Sequence, residues 1–131
     1  MPADRPAADF PLKELLGFTI ETGDGRSTAR LTVDERHLNP HGVVHGAVMF
    51  ALLDTAMGGA TMSVVEEGNW CATIDVTTRF LAPCFGGELV ATATVRKAGR
   101  RVVHLDASVA DADGVEFTAA TGVFAVIPAP G

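Results

Sequence analysis

The sequence predicts an α+β domain in which one long apolar helix packs against an antiparallel sheet. From Ala47 to Met62 almost every side chain is apolar or small, and a helix that is apolar all round is normally buried. After Gly68 the apolar residues recur at every second position, which is the period of a half-buried strand. One helix followed by several strands joined by short turns is typical of this class.

Size and composition indicate a single domain. The chain has 131 residues, of which 47% are apolar and 20% charged, and this suits one hydrophobic core. We predict one domain over residues 1–131, with residues 1–9 frayed because they are rich in proline and alanine. The net charge of -6 argues against a general nucleic-acid binder, which needs an electropositive surface.

The expected location is the cytoplasm. Cys71 and Cys84 show no metal-binding spacing, and two isolated cysteines suit a reducing compartment. The first ten residues lack the basic-then-apolar build of a signal peptide. The apolar helix is shorter than the about 20 residues that a membrane span needs, and Asp54 lies near its centre.

Caps, turns and periodicity define the elements. A short helix is predicted from Pro11 to Gly17, since proline favours the first turn of a helix and glycine its end. Glycines on both sides of Asp24 indicate a hairpin turn. Proline and glycine residues break the loop before the long helix, which we expect to run from Gly46 to about Val65. The predicted strands are 18–22, 28–33, 73–80, 89–96, 103–109 and 115–127.

Alternation assigns the strand side chains to faces. In the third strand the two predicted faces are Ile74, Val76, Thr78 and Phe80 on one side and Thr73, Asp75, Thr77 and Arg79 on the other. Short turns join the last four strands, which predicts that each is antiparallel to the next. One helix cannot cover all the apolar positions of these strands, so we expect a second copy of the chain to bury part of the other face.

Asp54 is the one carboxylate within the apolar helix. Burying an ionised carboxylate costs free energy unless it is paired or hydrogen-bonded, so Asp54 is either satisfied by its neighbours or kept for chemistry. The start of the helix favours chemistry. Free N–H groups and the helix dipole favour negative charge there, and Gly46 lets a substrate carbonyl approach its N–H, as in half of an oxyanion hole.

Three further polar residues each have a structural and a functional interpretation. His45 directly precedes Gly46 and is either a capping residue or a ligand contact. Asn39 suits a turn before proline, and Thr73 suits an ordinary strand. The sequence alone leaves both interpretations open for each residue.

Several other kinds of site find no support. His37, His41 and His45 are spaced by four, but proline and glycine between them interrupt a helix, so we predict no metal site. There is no G-x-S-x-G nucleophile elbow and no phosphate- or dinucleotide-binding glycine loop. Cys71 and Cys84 have no nearby base in the sequence and suit the core better than a nucleophile role.

These residues together resemble the hotdog-fold thioesterases of the phenylacetate-pathway type, within the 4-hydroxybenzoyl-CoA thioesterase superfamily. The resemblance covers nearly the whole chain and is most specific at Asn39, Gly42, His45-Gly46 and Asp54 within LLDTA. It implies a hotdog fold, in which an antiparallel sheet wraps around one long central helix. It also implies a homodimer with active sites at the dimer interface, often paired further into a homotetramer.

Two details of the motif matter. The segment ATIDVTTRFLAP resembles the next strand of the family, which carries a hydroxyl residue near its start, here Thr73. The family usually has His-Gly-Gly, whereas Ala47 replaces the second glycine here. The Gly46 N–H remains, so we expect the change to affect packing more than chemistry.

The resemblance implies hydrolysis of a small aryl- or acyl-CoA thioester without a cofactor. It implies that Asn39 and the Gly46 N–H polarise the thioester carbonyl. Asp54 of the other subunit would act as general base or as nucleophile. Thr73 would orient the water or Asp54, and His45 would lie against the thioester and the leaving thiolate.

The two ends of the substrate suggest further contacts. Coenzyme A is polyanionic, and the candidate ligands of its phosphates are Arg79, Arg96, Lys97, Arg100 and Arg101. These residues equally suit a solvated hairpin tip. The candidates for the apolar acyl pocket are Met49, Phe50, Leu53 and Met57, and they equally suit the core.

Two alternative functions use the same scaffold. One is hydration or dehydration of an enoyl-CoA. Relatives with that activity usually place a catalytic His with an Asp or Glu, whereas here His45 precedes the helix and Asp54 lies within it. The other is a non-catalytic acyl-CoA-binding or sensing protein, although the sequence shows no DNA-binding helix pair.

Overall fold

The computed structural model describes residues 9–130, so the predicted fraying of residues 1–9 lies, except for Asp9, outside the described residues. One six-stranded antiparallel sheet packs against one long helix. The elements are α1 (Pro11–Leu16), β1 (Thr19–Gly23), β2 (Arg26–Thr32), a 3-10 turn (Glu35–His37), α2 (Gly46–Met62), β3 (Asn69–Phe80), β4 (Glu88–Ala98), β5 (Val102–Ala110) and β6 (Glu116–Pro128).

The N-terminal elements form where the sequence predicts them. Pro11 opens α1, and Gly17 ends it in the left-handed conformation with φ of 81°. In the β1–β2 hairpin, Asp24 and Gly25 both have positive φ, 53° and 76°. That is the geometry of a two-residue turn whose twist matches the strands.

The order of the strands corrects one prediction. The sheet has the order β1-β2-β4-β5-β6-β3, so β3 and β4 follow each other in the chain without being neighbours. Their connection, residues 81–87, is too long for a tight turn. It is held instead by the Val44 N–H, which donates to the Cys84 carbonyl at 2.8 Å. As a result β3 pairs within residues 9–130 with β6 only, and its other edge has no partner strand among these residues.

A β-bulge in β3 corrects a second prediction. The pairing with β6 shifts between Thr73 and Asp75, which leaves Ile74 as the extra residue. An inserted residue reverses the alternation of side chains on one side of the bulge. Thr73 therefore lies on the same face as Val76, towards α2, and not on the opposite face as the alternation predicted.

α2 begins and ends at side-chain caps. Nδ1 of His45 accepts a hydrogen bond from the Ala47 N–H at 2.9 Å. At the other end, Ser63 Oγ donates to the Ala60 carbonyl and accepts from the Gly25 N–H, both at 2.7 Å. A serine that bonds backbone groups competes with the helix, and α2 ends three residues before the predicted Val65. No helix among residues 9–130 has the length and apolar character to cross a membrane.

One stripe of α2 is not covered by the sheet. The opposite face of the helix is fully buried, with Leu52, Leu53, Ala56 and Met57 at 0% exposure. The uncovered residues, here called the open stripe, are Ala47, Phe50, Ala51, Asp54 and Gly58. Phe50 is 39% exposed. The prediction of a helix buried all round is therefore wrong for a single chain.

The glycine pair in α2 offers a matched test of packing. A Cβ on Gly59 would lie 2.7 Å from Thr22 Oγ1 and 2.8 Å from Ser27 Oγ, whereas one on Gly58 would lie 3.7 Å from Phe124. We expect Gly59→Ala to lower the free energy of unfolding by about 1–3 kcal/mol through overpacking. Gly58→Ala should raise it by up to about 1 kcal/mol through helix propensity. Urea unfolding at one protein concentration measures both, and equal effects would contradict the close approach at Gly59.

Candidate active site

Asp54 and Thr73 are the predicted site residues that the structure joins directly. The Thr73 hydroxyl donates to Oδ1 of Asp54 at 2.8 Å, which the bulge in β3 makes possible. Asp54 is half-buried and Thr73 is exposed. Within residues 9–130 no cationic side chain forms an ion pair with this carboxylate. Oδ2 has no hydrogen-bond donor within the same residues and is available to a ligand.

Cys71 lies beside this pair, two residues before Thr73 on the same face of β3. Its Sγ contacts the Gly58 carbonyl oxygen at 3.7 Å. Burial, and secondly the charge of Asp54, raise the pKa of the Cys71 thiol to about 11. The thiol is therefore protonated near neutral pH. Since the thiolate is the nucleophilic form of cysteine, this argues against a nucleophilic role for Cys71.

The raised pKa of Cys71 predicts a loss of stability in alkali. The native state holds this proton more tightly than an unfolded thiol, whose pKa is about 9.0. The resulting stabilisation is complete below pH 9 and is lost as the pH rises from 9 through about 11. We expect the free energy of unfolding to fall more steeply over this range for the native sequence than for Cys71→Ala. Equal slopes in urea titrations at stepped pH would contradict it.

Asn39 is fixed so that its amide NH₂ group is available. Its Oδ1 accepts the backbone N–H groups of His41 at 2.9 Å and Val43 at 3.2 Å. The surrounding loop is closed by a bridge between Leu38 and Val44. With the oxygen engaged, Nδ2 has no acceptor among residues 9–130 and can donate to a ligand. The turn role and the ligand role proposed for Asn39 are thus compatible.

The start of α2 offers a second donor. The Ala47 N–H is already bonded to the His45 ring, whereas the Gly46 N–H has no acceptor within residues 9–130. A free N–H in the first turn of a helix favours a developing negative charge. His45 is exposed and combines its capping role with access to a ligand. The replacement of the second motif glycine by Ala47 therefore leaves the donor in place.

One chain does not bring Asp54 to these donors. Gly46 and Asp54 lie eight residues apart on the same helix, which is about 12 Å along the axis. A carbonyl bound at the Gly46 N–H is therefore out of reach of the carboxylate of its own chain. The site divides into two half-sites, one with Asp54 and Thr73 and the other with Asn39, His45 and Gly46.

An apolar cavity of about 290 Å³ lies against the Gly46 half-site. Its lining includes Val43, Gly46, Met49, Phe80, Leu81 and Pro83. Of the predicted acyl-pocket residues, Met49 lines this cavity, and its sulfur accepts the Thr118 hydroxyl at 2.8 Å. Phe50 lies instead on the open stripe. Leu53 and Met57 are 0% exposed, which favours the core interpretation for both.

The predicted CoA-phosphate ligands are all exposed: Arg79, Arg96, Lys97, Arg100 and Arg101. Arg96 donates to Asp106 at 2.7 Å, and this hydrogen bond raises the pKa of Arg96. Arg100 lies beside Val64 and Glu66, beyond the end of α2. Since α2 is 17 residues long, or about 25 Å, this basic hairpin lies far from the Gly46 of its own chain.

The three histidines spaced by four do not form one face. His37 is fully buried; its Nε2 donates to the Leu16 carbonyl at 2.7 Å, and its Nδ1 accepts the Asp34 N–H at 2.9 Å. His41 and His45 are exposed. Across residues 9–130 no group of three or more histidine, cysteine or acidic side chains is placed to hold a metal ion.

Sequence analysis missed the aromatic and loop residues of the cavity. The alternation predicts the correct face of β3 for Phe80, but it gives no sign that its ring reaches the start of α2. Leu81 and Pro83 belong to the 81–87 connection, for which the sequence predicts a short turn. The proline and the two nearby glycines mark this loop, and its length is the signal that could have shown that it crosses to α2.

An antiparallel sheet whose six strands all contact one long helix is the architecture of the hotdog class of α+β proteins, and Asp54 lies in the middle of that helix. The profile of the thioesterase superfamily matches residues 41–118. The chain belongs to this superfamily, and the predictions of a hotdog fold and of a thioester hydrolase are confirmed at that level.

Individual relatives agree with this assignment to the thioesterase superfamily. A provisionally named esterase of Halobacterium salinarum is 33% identical over 130 residues, covering 90% of this chain and 85% of the relative. One from Haemophilus influenzae is 34% identical over 88 residues, or 66% of this chain and 64% of the relative. Acyl-coenzyme A thioesterase PaaI of Escherichia coli is 36% identical over 83 residues, or 63% of this chain and 57% of PaaI. The matches to the last two thus span less than two thirds of either relative.

A solved structure extends the similarity to the fold. The structure of a Haemophilus influenzae thioesterase superposes with a TM-score of 0.84 and 27% identity, covering 89% of this chain and 82% of that one. The similarity therefore includes the sheet and the helix that carry both half-sites.

Proposed function

We propose that this protein hydrolyses small aryl- or acyl-CoA thioesters in a site formed by two copies of the chain. The observation that carries the proposal is the division of the site. Asp54, held by Thr73, lies on the open stripe about 12 Å along α2 from the free N–H of Gly46. A second copy of the chain can supply each half-site with the half-site that it lacks.

The unpaired edge of β3 supports this arrangement. Trp70, Ile74 and Phe80 lie along this strand and are 38%, 54% and 56% exposed. A long edge strand with exposed apolar side chains favours pairing with another strand. A two-fold axis across this edge would join the two sheets and bring the open stripes together. Association of two such dimers into a homotetramer is an extension of the proposal that a mass measurement in solution tests.

In the proposed mechanism the thioester carbonyl receives hydrogen bonds from Asn39 Nδ2 and the Gly46 N–H of one subunit. These donors stabilise the oxyanion that forms when the carbonyl carbon is attacked. Asp54 of the other subunit acts through its unengaged Oδ2, while the Thr73 hydroxyl holds Oδ1. His45 lies beside the thioester and the departing sulfur.

Two routes to the products remain for Asp54. As a general base it takes a proton from water, the resulting hydroxide adds to the carbonyl, the C–S bond breaks, and the proton goes to the CoA thiolate. As a nucleophile it attacks the carbonyl, expels the thiolate and forms an anhydride, which water then hydrolyses. Both routes use the same donors.

The coenzyme end of the substrate is assigned by charge. Lys97, Arg100 and Arg101 are exposed cations on the β4–β5 hairpin, while Arg96 is paired with Asp106 and Arg79 lies on β3. The hairpin cations lie far from the Gly46 of their own chain, so they can bind the phosphates only in a site shared with another copy. A relative named acyl-coenzyme A thioesterase supports coenzyme A as the carrier, and two free cysteines suit a cytoplasmic location.

A thiol-release assay over a panel of acyl-CoA thioesters tests the function. We expect hydrolysis of at least one aryl or short acyl thioester. Crotonyl-CoA belongs in the panel, because its hydration without thiol release would favour the hydratase alternative. Tight binding of panel members without turnover would favour a sensor or binding protein and contradict the proposal.

A further inference from the structure

Phe80 lies over the first residue of α2. A Cβ built on Gly46 would be 3.2 Å from both Cε1 and Cζ of Phe80, and the three atoms nearest to that position all belong to this ring. Gly46 has no positive φ, so its conformation is open to any residue. A side chain at this position would therefore press against the ring of Phe80.

The ring is attached to a fixed backbone. Phe80 is the last residue of β3 and pairs with Thr118 of β6. The next residue, Leu81, donates its N–H to the Phe117 carbonyl at 2.8 Å. The side chain itself is 56% exposed, and it forms one wall of the cavity that Gly46 and Met49 also line. The ring thus limits the width of the cavity at the Gly46 end.

We propose that Phe80 is a specificity-determining residue that excludes acyl groups branched at the carbon next to the thioester carbonyl. The inference rests on the proposed function, in which the carbonyl is bound at the Gly46 N–H. The carbon attached to that carbonyl then lies where the ring approaches Gly46, with room for a linear chain or a flat aryl ring but not for a tetrahedral branch. The other side chains that line the cavity are apolar, which suits the rest of the acyl chain.

The test compares a linear and an α-branched thioester of equal carbon number, such as butyryl-CoA and isobutyryl-CoA, at the chain length that the native enzyme hydrolyses fastest. The quantity measured is the ratio of their kcat/KM values. We expect Phe80→Ala to shift this ratio towards the branched substrate by about tenfold or more, the usual value of a steric contact of this size. Phe80→Leu should shift it less and provides a conservative second variant.

Phe85 provides the matched control. It is a phenylalanine of the adjacent 81–87 loop, 71% exposed, and it does not line the cavity. Phe85→Ala should leave the ratio within about twofold of the native value, since specificity changes follow contacts in the pocket. An equal shift in both variants would overturn the proposal, because it would indicate a general effect of loop packing.

A double-mutant cycle separates steric contact from other effects. Gly46→Ala places a Cβ 3.2 Å from the ring, and we expect it to reduce kcat/KM for the linear substrate. In a Phe80→Ala background the same change should reduce it several-fold less, because the partner of the contact is gone. Additive effects of the two substitutions would contradict a direct contact.

The outcomes distinguish this inference from the proposed function. If the native protein hydrolyses no member of the panel, both are overturned. If hydrolysis persists in the native protein and in both Phe80 variants but the ratio is unchanged, only the role of Phe80 is overturned. Circular dichroism and solution mass check that the variants remain folded and associated.

Discussion

Asp54→Asn is expected to reduce kcat by a factor of about 100 to 10,000, the contribution usual for a positioned acid–base group. The amide can neither accept a proton from water nor attack the carbonyl at neutral pH. It can still accept the Thr73 hydroxyl at the position of Oδ1, so the fold and the association of subunits should persist. Rates of thiol release from the best thioester of the panel, with mass and circular dichroism alongside, measure the effect.

Asp113→Asn is the control for this substitution. Asp113 is an exposed residue in the turn before β6; its backbone N–H donates to Asp111, and its carboxylate has no hydrogen-bond partner among residues 9–130. The control should retain native kcat, because a solvated surface carboxylate contributes nothing to the site. If Asp54→Asn hydrolyses the thioester at the native rate, Asp54 is neither the general base nor the nucleophile.

Mixing two inactive variants should restore activity. A chain with Asn39→Ala lacks a carbonyl donor, and a chain with Asp54→Asn lacks the acid, so each homodimer has two defective sites. In a mixed dimer one site receives intact Asn39 from one chain and intact Asp54 from the other. With random exchange of subunits, half of the dimers are mixed and carry one good site of two, so recovery should reach about a quarter of native activity.

The complementation experiment separates a shared site from a site within one chain. If Asn39 and Asp54 of the same chain acted together, every site in the mixture would carry a defect and no activity would return. Co-expression of the two chains with different affinity tags, followed by tandem purification, isolates the mixed dimer. Purified mixed dimer should then show about half of native activity, since one of its two sites is intact.

The elements of this fold could be predicted because local signals decided them. Pro11 and Gly17 delimit α1, and the two residues between Gly23 and Arg26 adopt the positive φ values that a tight hairpin requires. The apolar run of α2 also had no competing interpretation. In each case the interactions that form the element are within a few residues of one another in the chain.

The pairing of the strands could not be predicted in the same way. Alternation shows that a segment is a strand but not which strand lies beside it, and β3 pairs with β6 across a separation of about 50 residues along the chain. The bulge at Ile74 has no sequence marker, because it depends on the register with β6. The alternation therefore assigned Thr73 to the wrong face.

The candidate site was predictable as a set of residues but not as a geometry. The motif identified Asp54, Asn39 and Gly46 through the resemblance. The separation of Asp54 from Gly46 by two turns follows from their spacing on α2, whereas the position of Asn39 depends on the folded loop that holds its Oδ1. The proposed role of Phe80 depends on the contact between its ring and Gly46. The two residues are 34 positions apart in the chain, and the periodicity of the sequence does not predict such a contact.

The unpaired edge of β3 affects when each chain becomes active after synthesis. On the proposed function, a newly synthesised chain folds around its helix but is catalytically silent until it meets a sister chain. Turnover then reports assembly, and dilution below the dissociation constant of the pair switches hydrolysis off. Each chain carries both the acid and the oxyanion donors, yet a complete active site forms only when two chains associate.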